Sequence, residues 1–365
     1  MLIFISICTI LTVLVTILPL SKGTHWIIRS MDFPRVQIML FSLVLLLVSI
    51  FFLNLEYPIT WMLVFGNGAC FIWQLWWILP YTPFWPKEVK GAKENSPGGQ
   101  LSIITSNVLT TNRNVEALLK LVNKYQPDIL VTLESDRWWE EQLKVLESDM
   151  PYAVKCPLDN LYGIHLYSKL PLHDQEISFL VEKNVPSIHV SIELRTGDRV
   201  RAHFLHPAPP SPTENTKSAP RDAELIIVAR SVDKSTKPII VTGDLNDVAW
   251  SSTTHLFRKI SGLLDPRIGR GMFNTFHAAY PFMRWPLDHL FHSDHFTLHS
   301  IQRLPSIGSD HFPLYTSLRF NPSRGASQEG LTANPEEYQR AKEITAKKGV
   351  NKQDVPTPYE GSNNK

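Results

Sequence analysis

The chain has 365 residues, a formal net charge of +2, 44% hydrophobic residues and 3 cysteines. This length predicts one large domain or two medium-sized domains. The near-neutral charge excludes a strongly basic nucleic-acid coat protein and an acidic disordered tail. Three cysteines are too few for a disulfide scaffold, and two of them, Cys8 and Cys70, lie in apolar stretches.

The first 86 residues predict a membrane anchor. Residues 2–20, 36–55 and 59–79 contain no charged residue, and each stretch is close to the ~20 residues with which a helix crosses a bilayer. The third is the least apolar and ends among Trp and Tyr residues typical of the headgroup region. A cleaved signal peptide is the alternative for the first stretch, but no Lys or Arg precedes it and no A-x-A site follows. We expect three transmembrane helices, with two as the alternative.

Basic residues in the loops predict the orientation of these helices. Three basic residues lie in the first loop and three lysines follow the third stretch, whereas the short turn near Glu56 has none. These residues are Lys22, Arg29, Arg35, Lys87, Lys90 and Lys93. With three spans, both basic groups lie on one side of the bilayer, which the positive-inside rule makes the cytoplasm. We therefore expect a multi-pass protein of the cell membrane with its C-terminal bulk in the cytoplasm.

The rest of the chain predicts a linker, an α/β domain and a tail. Residues 87–100 are polar and rich in Gly, Ser and Lys, which is typical of a linker. From 101 to 320, short β-like runs alternate with helical patterns and with consecutive hairpins, which favours a two-sheet sandwich with helices outside. Residues 321–365 are polar, and we expect a flexible tail with one possible helix at ANPEEYQRAKEITAKK.

Charge within residues 101–320 bears on the substrate. This segment contains 23 Lys and Arg against 24 Asp and Glu. An enzyme that acts on duplex DNA usually carries a basic surface that neutralises phosphates. The segment has no such excess of positive charge.

Polar side chains recur where the predicted apolar strands end, so that several of them are expected to share one crevice. They are Asn107, Glu134, His206, Asp244, Asn246, Asp288, Asp310 and His311. Oxygen ligands of this kind suit Mg²⁺ or Mn²⁺ better than zinc, and adjacent His and Asp residues suit general acid–base chemistry. Each residue alone is more often a cap, a turn or a solvated loop end. Their order along the chain carries the functional interpretation.

Seven motifs in order resemble the endonuclease/exonuclease/phosphatase superfamily of metal-dependent phosphoesterases over about residues 101–320. They are S-N-V, L-E-S, G-I-x-L-x-S-K-L-P-L, H-P-A-P-P, G-D-L-N, L-D-H-L-F and G-S-D-H-F-P. The resemblance implies an α/β fold, a four-layer, DNase-like two-sheet sandwich, preceded here by transmembrane helices. The H-P-x-P-P motif and the anchor resemble the branch that includes bacterial membrane-bound phosphatases linked to glycopeptide resistance.

The resemblance also implies a metal site. Glu134 would bind Mg²⁺ or Mn²⁺, and Asn107 would help to hold the metal or the phosphate. Asp310 is a possible second metal ligand. The expected cofactor is thus Mg²⁺ or Mn²⁺, held mainly by oxygen atoms.

Five further residues receive catalytic roles through the same resemblance. Asp244 would orient or deprotonate the attacking water, and Asn246 would hold the phosphate. His311, oriented by Asp288, would contact the phosphoryl oxygens. His206 stands where deoxyribonuclease-like and sphingomyelinase-like members carry a catalytic histidine, and it would protonate the leaving oxygen or stabilise its charge.

For two other residues a structural role is the default interpretation. Arg221 is a plausible phosphate contact, but surface exposure is the default expectation for arginine. His165 lies inside a predicted strand, where packing or solvent exposure is more common than metal ligation.

The predicted function is a membrane-anchored, Mg²⁺-dependent phosphoesterase that hydrolyses a phosphate ester or phosphodiester by in-line attack of water. The neutral charge and the anchor favour a lipid-linked or small phosphorylated substrate, and the expected partners are that substrate and the lipid bilayer. A nuclease acting on DNA or RNA is the alternative within the superfamily. A catalytically inactive, membrane-bound binding module is the alternative of another class, and it is disfavoured because every expected polar position is filled.

Overall fold

The computed structural model describes residues 1–21, 23–92, 99–321 and 328–357. Lys22, Lys93 and parts of the predicted linker and tail lie outside these residues. The chain divides into two compact units. The helical unit comprises Met1–Pro86, Pro210–Ser218 and Gly269–Gly271, and the α/β unit comprises Lys87–Pro209, Ala219–Ile268 and Met272–Lys365.

The helical unit contains the apolar stretches of the sequence. Its helices are α1 (Leu2–Ile17), α2 (Trp26–Ser30), α3 (Arg35–Phe52) and α4 (Pro58–Ile78). Three segments, Leu2–Leu20, Arg35–Phe52 and Pro58–Tyr81, are long and apolar enough to cross a membrane. The number of actual spans and the side of the membrane stay predictions.

Polar side chains of α4 form hydrogen bonds inside the helical unit. Asn67 Nδ2 donates to Thr9 Oγ1 over 2.9 Å, and Gln74 Nε2 donates to Thr16 Oγ1 over 3.1 Å. The guanidinium of Arg35 donates to Gln74 Oε1 over 3.0 Å. Polar groups in apolar surroundings need such partners within the protein. The residues that make the third stretch the least apolar therefore serve contacts between helices.

The α/β unit contains two mixed sheets. Its strands are β1 (Gln100–Asn107), β2 (Ile129–Leu133), β3 (Tyr152–Cys156), β4 (Ile164–Ser168), β5 (Leu172–Ser178), β6 (Ser187–Glu193), β7 (Arg199–Leu205), β8 (Ile239–Asp244), β9 (Asp288–His292), β10 (Phe296–Arg303) and β11 (Leu314–Phe320). Its helices are α5 (Val115–Tyr125), α6 (Arg137–Leu143), α7 (Ala219–Val232), α8 (Ser252–Ser261) and α9 (Pro335–Ala346). The strand order is β10-β11-β1-β2-β4-β3 in the first sheet and β5-β6-β7-β8-β9 in the second.

Side chains that alternate in direction along the strands divide the hydrophobic core into layers. Ile103 of β1 and Val190 of β6 belong to one cluster that both sheets share. The neighbouring Ile104 packs with Trp139 of α6 on the other face of the first sheet, and Val241 of β8 packs with α7 and α8 on the other face of the second. Successive side chains of a strand point to opposite faces, so each sheet is buried on both sides. The predicted two-sheet sandwich with outer helices is confirmed.

Two segments expected to be loose are packed in the structure. Val89, in the predicted linker, is fully buried in the shared core, and Ala92 N donates to the carbonyl of Leu298 over 2.9 Å. In the predicted tail, α9 forms where a helix was possible, and Ala341 and Val355 are buried against the outer cluster of the second sheet. The described part of the tail thus differs from the expected flexible segment. A few apolar residues in a charged segment suffice to cover one face of a core.

Candidate active site

Asn107 and Glu134 stand at the ends of two neighbouring parallel strands, β1 and β2. Asn107 Nδ2 donates to Glu134 Oε1 over 2.7 Å. Glu134 has a φ of 57°, a left-handed conformation that is uncommon for residues other than glycine. Thr110 Oγ1 donates to the Glu134 carbonyl over 2.7 Å and supports this conformation. Backbone strain of this kind clusters at functional sites.

Asp244, the last residue of β8 in the second sheet, also contacts Asn107. Its Oδ2 lies 3.3 Å from Asn107 Nδ2, so one amide group contacts carboxylates from both sheets. The backbone N–H of Asn246 donates to Asp244 Oδ1 over 3.0 Å, and Asn246 Nδ2 donates to the Pro207 carbonyl over 3.0 Å. Asp244 therefore has both oxygens committed to contacts that define its position.

The close approach of β7 and β8 depends on Gly243. A Cβ atom at this position would lie 1.9 Å from the Leu205 carbonyl oxygen, and its φ of 151° is rarely adopted by other residues. Glycine lacks the Cβ atom and tolerates this conformation. Gly243 thus allows the backbones of β7 and β8 to approach closely at the residue next to Asp244.

His311 connects Asp288 with Asp244. Its Nδ1 lies 2.8 Å from Asp288 Oδ2, and its Nε2 lies 3.4 Å from Asp244 Oδ2. Asp288 and Asp244 are register partners in the antiparallel pair of β9 and β8. His206 Nε2 lies 3.8 Å from the same Asp244 oxygen.

Burial and neighbouring charges shift the pKa values at this site. Burial lowers the pKa of His311, but the carboxylates of Asp244 and Asp288 outweigh it and raise that pKa to about 10. Burial lowers the pKa of His206 to about 3. At neutral pH the site therefore contains one imidazolium, His311, and one neutral imidazole, His206.

The two acids nearest the ends of β2 and β8 have raised pKa values. Burial raises the pKa of Glu134 to about 7, and the nearby carboxylates of Asp310 and Asp244 act in the same direction. Burial also raises the pKa of Asp244, while the His311 imidazolium opposes the rise. Carboxylates that are costly to ionise without a counter-charge are suited to binding a cation.

The donor atoms present fit a divalent metal ion. Glu134 Oε2 is buried and has no hydrogen-bond partner in the described part of the chain. Asp244, Asp288 and His311 also offer atoms within 4.8 Å of one another, but a protonated imidazole cannot ligate a metal, and Asp288 Oδ2 is engaged by His311 Nδ1. Asp288 Oδ1 is likewise buried without a hydrogen-bond partner among the described residues, but the His311 imidazolium lies beside that carboxylate. Glu134 is thus the better anchor for a hard cation.

The structure brings the predicted side chains to one edge of the sandwich. Contacts join six of them directly: Asn107, Glu134, Asp244, His206, Asp288 and His311. Asn246 joins them through its backbone. The half-buried Asp310 precedes His311 and acts electrostatically on Glu134. Their chemical roles stay predictions.

Two buried arginines support the site and were not predicted to do so. Arg221 is 1% exposed and donates to the Asn246 carbonyl over 2.7 Å, so the expected surface position is wrong. Arg267 donates to the Asp288 carbonyl over 3.3 Å and to His289 Nδ1 over 2.7 Å. The apolar residues 225–229 predicted that part of α7 is buried, but Asp222, Glu224 and Arg230 in the same helix left the position of Arg221 open. No local signal marked Arg267.

Residues 104–311 match the model of the Endonuclease/Exonuclease/phosphatase family. A crystal structure of an endonuclease/exonuclease/phosphatase from Beutenbergia cavernae has a TM-score of 0.52 and 14% identity, covering 65% of this chain and 76% of that chain. The human Nocturnin catalytic domain with bound sulfate has a TM-score of 0.49 and 16% identity, covering 62% and 97%. Comparison with curated protein sequences gives no match. The similarity to the B. cavernae structure concerns the fold alone.

Proposed function

Because the chain belongs to the endonuclease/exonuclease/phosphatase family, we propose that it is a membrane-anchored phosphoesterase that depends on Mg²⁺ or Mn²⁺. One observation carries the proposal. Asn107 contacts both Glu134 and Asp244, and Asp244 lies beside the His311–Asp288 pair. This arrangement combines oxygen ligands for a cation with a fixed positive charge for phosphoryl oxygens.

Glu134 would hold the metal, with Asn107 and Asp310 beside it. When bound, a divalent cation polarises a phosphoryl oxygen and neutralises part of the charge that develops during hydrolysis. The raised pKa of Glu134 supports this assignment, because the group is buried without a matching positive charge of its own.

His311 and Asp244 would act on the phosphoryl group and the attacking water. The imidazolium of His311, held by Asp288, would donate a hydrogen bond to a phosphoryl oxygen. Asp244 would accept a proton from the attacking water, and its raised pKa brings it closer to the range in which a general base works at neutral pH. The amide of Asn246 would orient the phosphate.

His206 has two predicted roles, and its low pKa favours one of them. A histidine with a pKa of about 3 carries no proton to give at neutral pH. Its neutral ring still offers one N–H group as a hydrogen-bond donor. We therefore assign it the stabilisation of the charge on the leaving oxygen.

We favour a lipid-linked or small phosphorylated substrate over nucleic acid. Three segments are long and apolar enough to cross a membrane, and residues 101–320 have 23 basic against 24 acidic residues. Anchoring concentrates an enzyme at lipid headgroups, while duplex DNA calls for a basic surface. We also propose that the protein is a multi-pass membrane protein with its α/β unit in the cytoplasm. The proposal includes membership of the branch of bacterial membrane phosphatases.

Hydrolysis of two soluble probes tests the activity. The full-length protein in lipid nanodiscs is assayed with p-nitrophenyl phosphate and bis-p-nitrophenyl phosphate, with Mg²⁺, with Mn²⁺ and after EDTA treatment. We expect metal-dependent hydrolysis of at least one probe, and a loss of roughly 10²–10⁴-fold in Asp244→Asn and in His311→Gln.

A matched control is His173→Gln, because His173 pairs with Glu193 on β5 and β6 rather than with the proposed site. It should retain wild-type rates. Hydrolysis that survives in Asp244→Asn would refute the assignment. A folded wild-type protein that hydrolyses neither probe with either metal would support the inactive binding module instead.

A further inference from the structure

A run of exposed apolar residues lies at the tip of residues 276–285, here called the apolar turn. The tip comprises residues 279–283, all of them exposed and none of them charged. Tyr280 is 57% exposed, Phe282 88% and Met283 53%. Consecutive exposed apolar residues are avoided on soluble surfaces unless they serve a binding function.

The tip differs from the other exposed apolar residues of the α/β unit. Among the described residues of that unit, the remaining large exposed hydrophobic side chains are Val145, Tyr152, Leu161 and Phe179. They lie singly, in different elements or loops. Scattered residues of this kind occur on every protein surface and need no explanation. Among the described residues of the α/β unit, large exposed hydrophobic side chains follow one another closely in the sequence at the tip alone.

Hydrogen bonds give the apolar turn a defined conformation. His277 N donates to the Met283 carbonyl over 2.9 Å, and Met283 N donates to the Tyr280 carbonyl over 3.0 Å. Arg284 donates to the Ala278 carbonyl over 2.7 Å. The apolar side chains of the tip are therefore exposed on an ordered turn, and their exposure is a property of the folded unit.

The base of the apolar turn contacts the candidate active site. Ala278 N donates to the Asp310 carbonyl over 2.6 Å, and the ring of Phe276 lies 4.9 Å from the ring of His311. Thr275 Oγ1, next to the turn, accepts a hydrogen bond from Asp288 N over 3.2 Å. A surface that binds the tip is therefore held beside the residues proposed to act on phosphate.

We propose that residues 279–283 insert into the interfacial region of a lipid bilayer and hold the candidate active site against the headgroups. Tyr is enriched at membrane interfaces, and the side chains of Phe and Met are apolar enough to enter the adjacent hydrocarbon. The same chain carries three segments able to cross a membrane. Only residues 82–86 separate the third of these segments from Lys87, the first residue of the α/β unit.

This inference rests on the membrane anchoring in the proposed function and is independent of phosphoester hydrolysis. It adds a second contact with lipid, made by the α/β unit itself. Its consequence for the substrate is that the site would face phosphate groups at headgroup depth, as in a phosphorylated lipid.

Fluorescence of a label on the tip tests the insertion. Cys8, Cys70 and Cys156 are replaced by Ala, and an NBD fluorophore is attached to Phe282→Cys in the full-length protein. The protein is reconstituted in vesicles of phosphatidylcholine and phosphatidylglycerol, with or without brominated acyl chains. We expect a blue-shifted emission and at least two-fold quenching by the brominated lipids.

A label at Val145→Cys is the matched control, because Val145 is another exposed apolar residue of the same unit. It should show aqueous emission and no quenching. Both labelled proteins must unfold at the temperature of the cysteine-free parent, and a label at Tyr280→Cys should repeat the result for Phe282→Cys.

Two outcomes would overturn the proposal. Aqueous emission without quenching at both tip positions would mean that the tip stays in water. Energy transfer between tip labels on different copies, without quenching by brominated lipids, would identify a second copy of the chain as the occupant. Quenching at the tip in a protein that hydrolyses no phosphate would leave this inference standing and remove only the proposed activity.

Discussion

His311 Nδ1 lies 2.8 Å from Asp288 Oδ2, and this hydrogen bond joins a loop that precedes β11 of the first sheet to the first residue of β9 in the second. The pair places the other ring nitrogen of His311 3.4 Å from Asp244 Oδ2. Burial alone would lower the pKa of His311, and the two carboxylates raise it to about 10. One bond thus orients the ring and maintains its positive charge at neutral pH.

Replacing Asp288 by Asn should lower the pKa of His311, because one of the two carboxylates that raise it is removed. The imidazolium would then lose its proton at lower pH, so the alkaline limb of the rate profile should move down by at least one pH unit. We expect kcat at pH 8 to fall roughly 10²-fold or more. The measurement is the pH dependence of kcat with bis-p-nitrophenyl phosphate.

The control for this variant is Asp294→Asn, which changes an Asp–His pair elsewhere in the same unit, with His295 Nδ1 3.3 Å from Asp294 Oδ1. It should leave the alkaline limb in place. An unchanged limb in Asp288→Asn would contradict the role of the pair.

Metal affinity should depend on pH through Glu134. A metal ion binds the ionised carboxylate, and burial raises the pKa of Glu134 to about 7, so protons compete with the metal below that pH. The Kd for Mn²⁺ should therefore rise about tenfold per pH unit between pH 6.5 and 5.5. Isothermal titration calorimetry at pH 5.5, 6.5 and 7.5 measures this. Equal affinity at pH 5.5 and 7.5 would argue against Glu134 as a ligand.

The metal-free protein should become more stable when Glu134 is replaced by Gln. The folded-state pKa of Glu134, about 7, lies above its ordinary value of 4.5. The free energy of unfolding therefore decreases as the pH rises from 4.5 to 7, because the folded state resists ionisation of this carboxyl. Above pH 7 Glu134 causes no further decrease. At pH 8 with EDTA, Glu134→Gln should unfold at a higher temperature, by an amount equivalent to about 3 kcal/mol at most. At pH 4 the difference should vanish, and with saturating Mg²⁺ it should reverse.

Substitution of Gly243 by Ala should destabilise the α/β unit strongly. The added Cβ would lie 1.9 Å from the Leu205 carbonyl oxygen in a conformation with φ of 151°. We expect a loss of about 3 kcal/mol or more, since the backbones of two strands must separate. Gly197→Ala is the control, because Gly197 has a φ of 84° and open space around it. It should cost only about 1 kcal/mol. Thermal unfolding followed by tryptophan fluorescence compares them, and equal losses would contradict the steric argument.

Arg221 should act as a positioning residue for Asn246. Its guanidinium donates to the Asn246 carbonyl over 2.7 Å and lies 3.3 Å from Asp247. Lysine cannot reproduce this planar set of donors, so Arg221→Lys should lower kcat about 10–100-fold while the KM changes less than threefold. The measurement is steady-state kinetics, which gives the change in kcat and the change in KM separately.

Arg230→Lys serves as the control on the same helix, because Arg230 donates to Thr345 Oγ1 of α9 over 2.6 Å. It should change the unfolding temperature without changing kcat. If Arg221→Lys changes only the unfolding temperature as well, then Arg221 has a purely structural role.

The sequence by itself determined the local features of this protein. Apolar stretches of spanning length and the strand ends that carry Asn107, Glu134 and Asp244 depend on residues close together in the chain. Side-chain period, charge and turn chemistry are readable at that range. The alternation of β-like runs with helical patterns then predicted the sandwich, and the order of the motifs implied the same fold.

Only the tertiary structure decided which residues meet and which are exposed. The pairing of His311 with Asp288 crosses between sheets, and the burial of Arg221 depends on the contacts of a whole helix. Val355 is buried although its segment is polar, whereas Phe282 is exposed although its neighbours are apolar. Burial and long-range distance follow from how elements pack, and no local pattern encodes them.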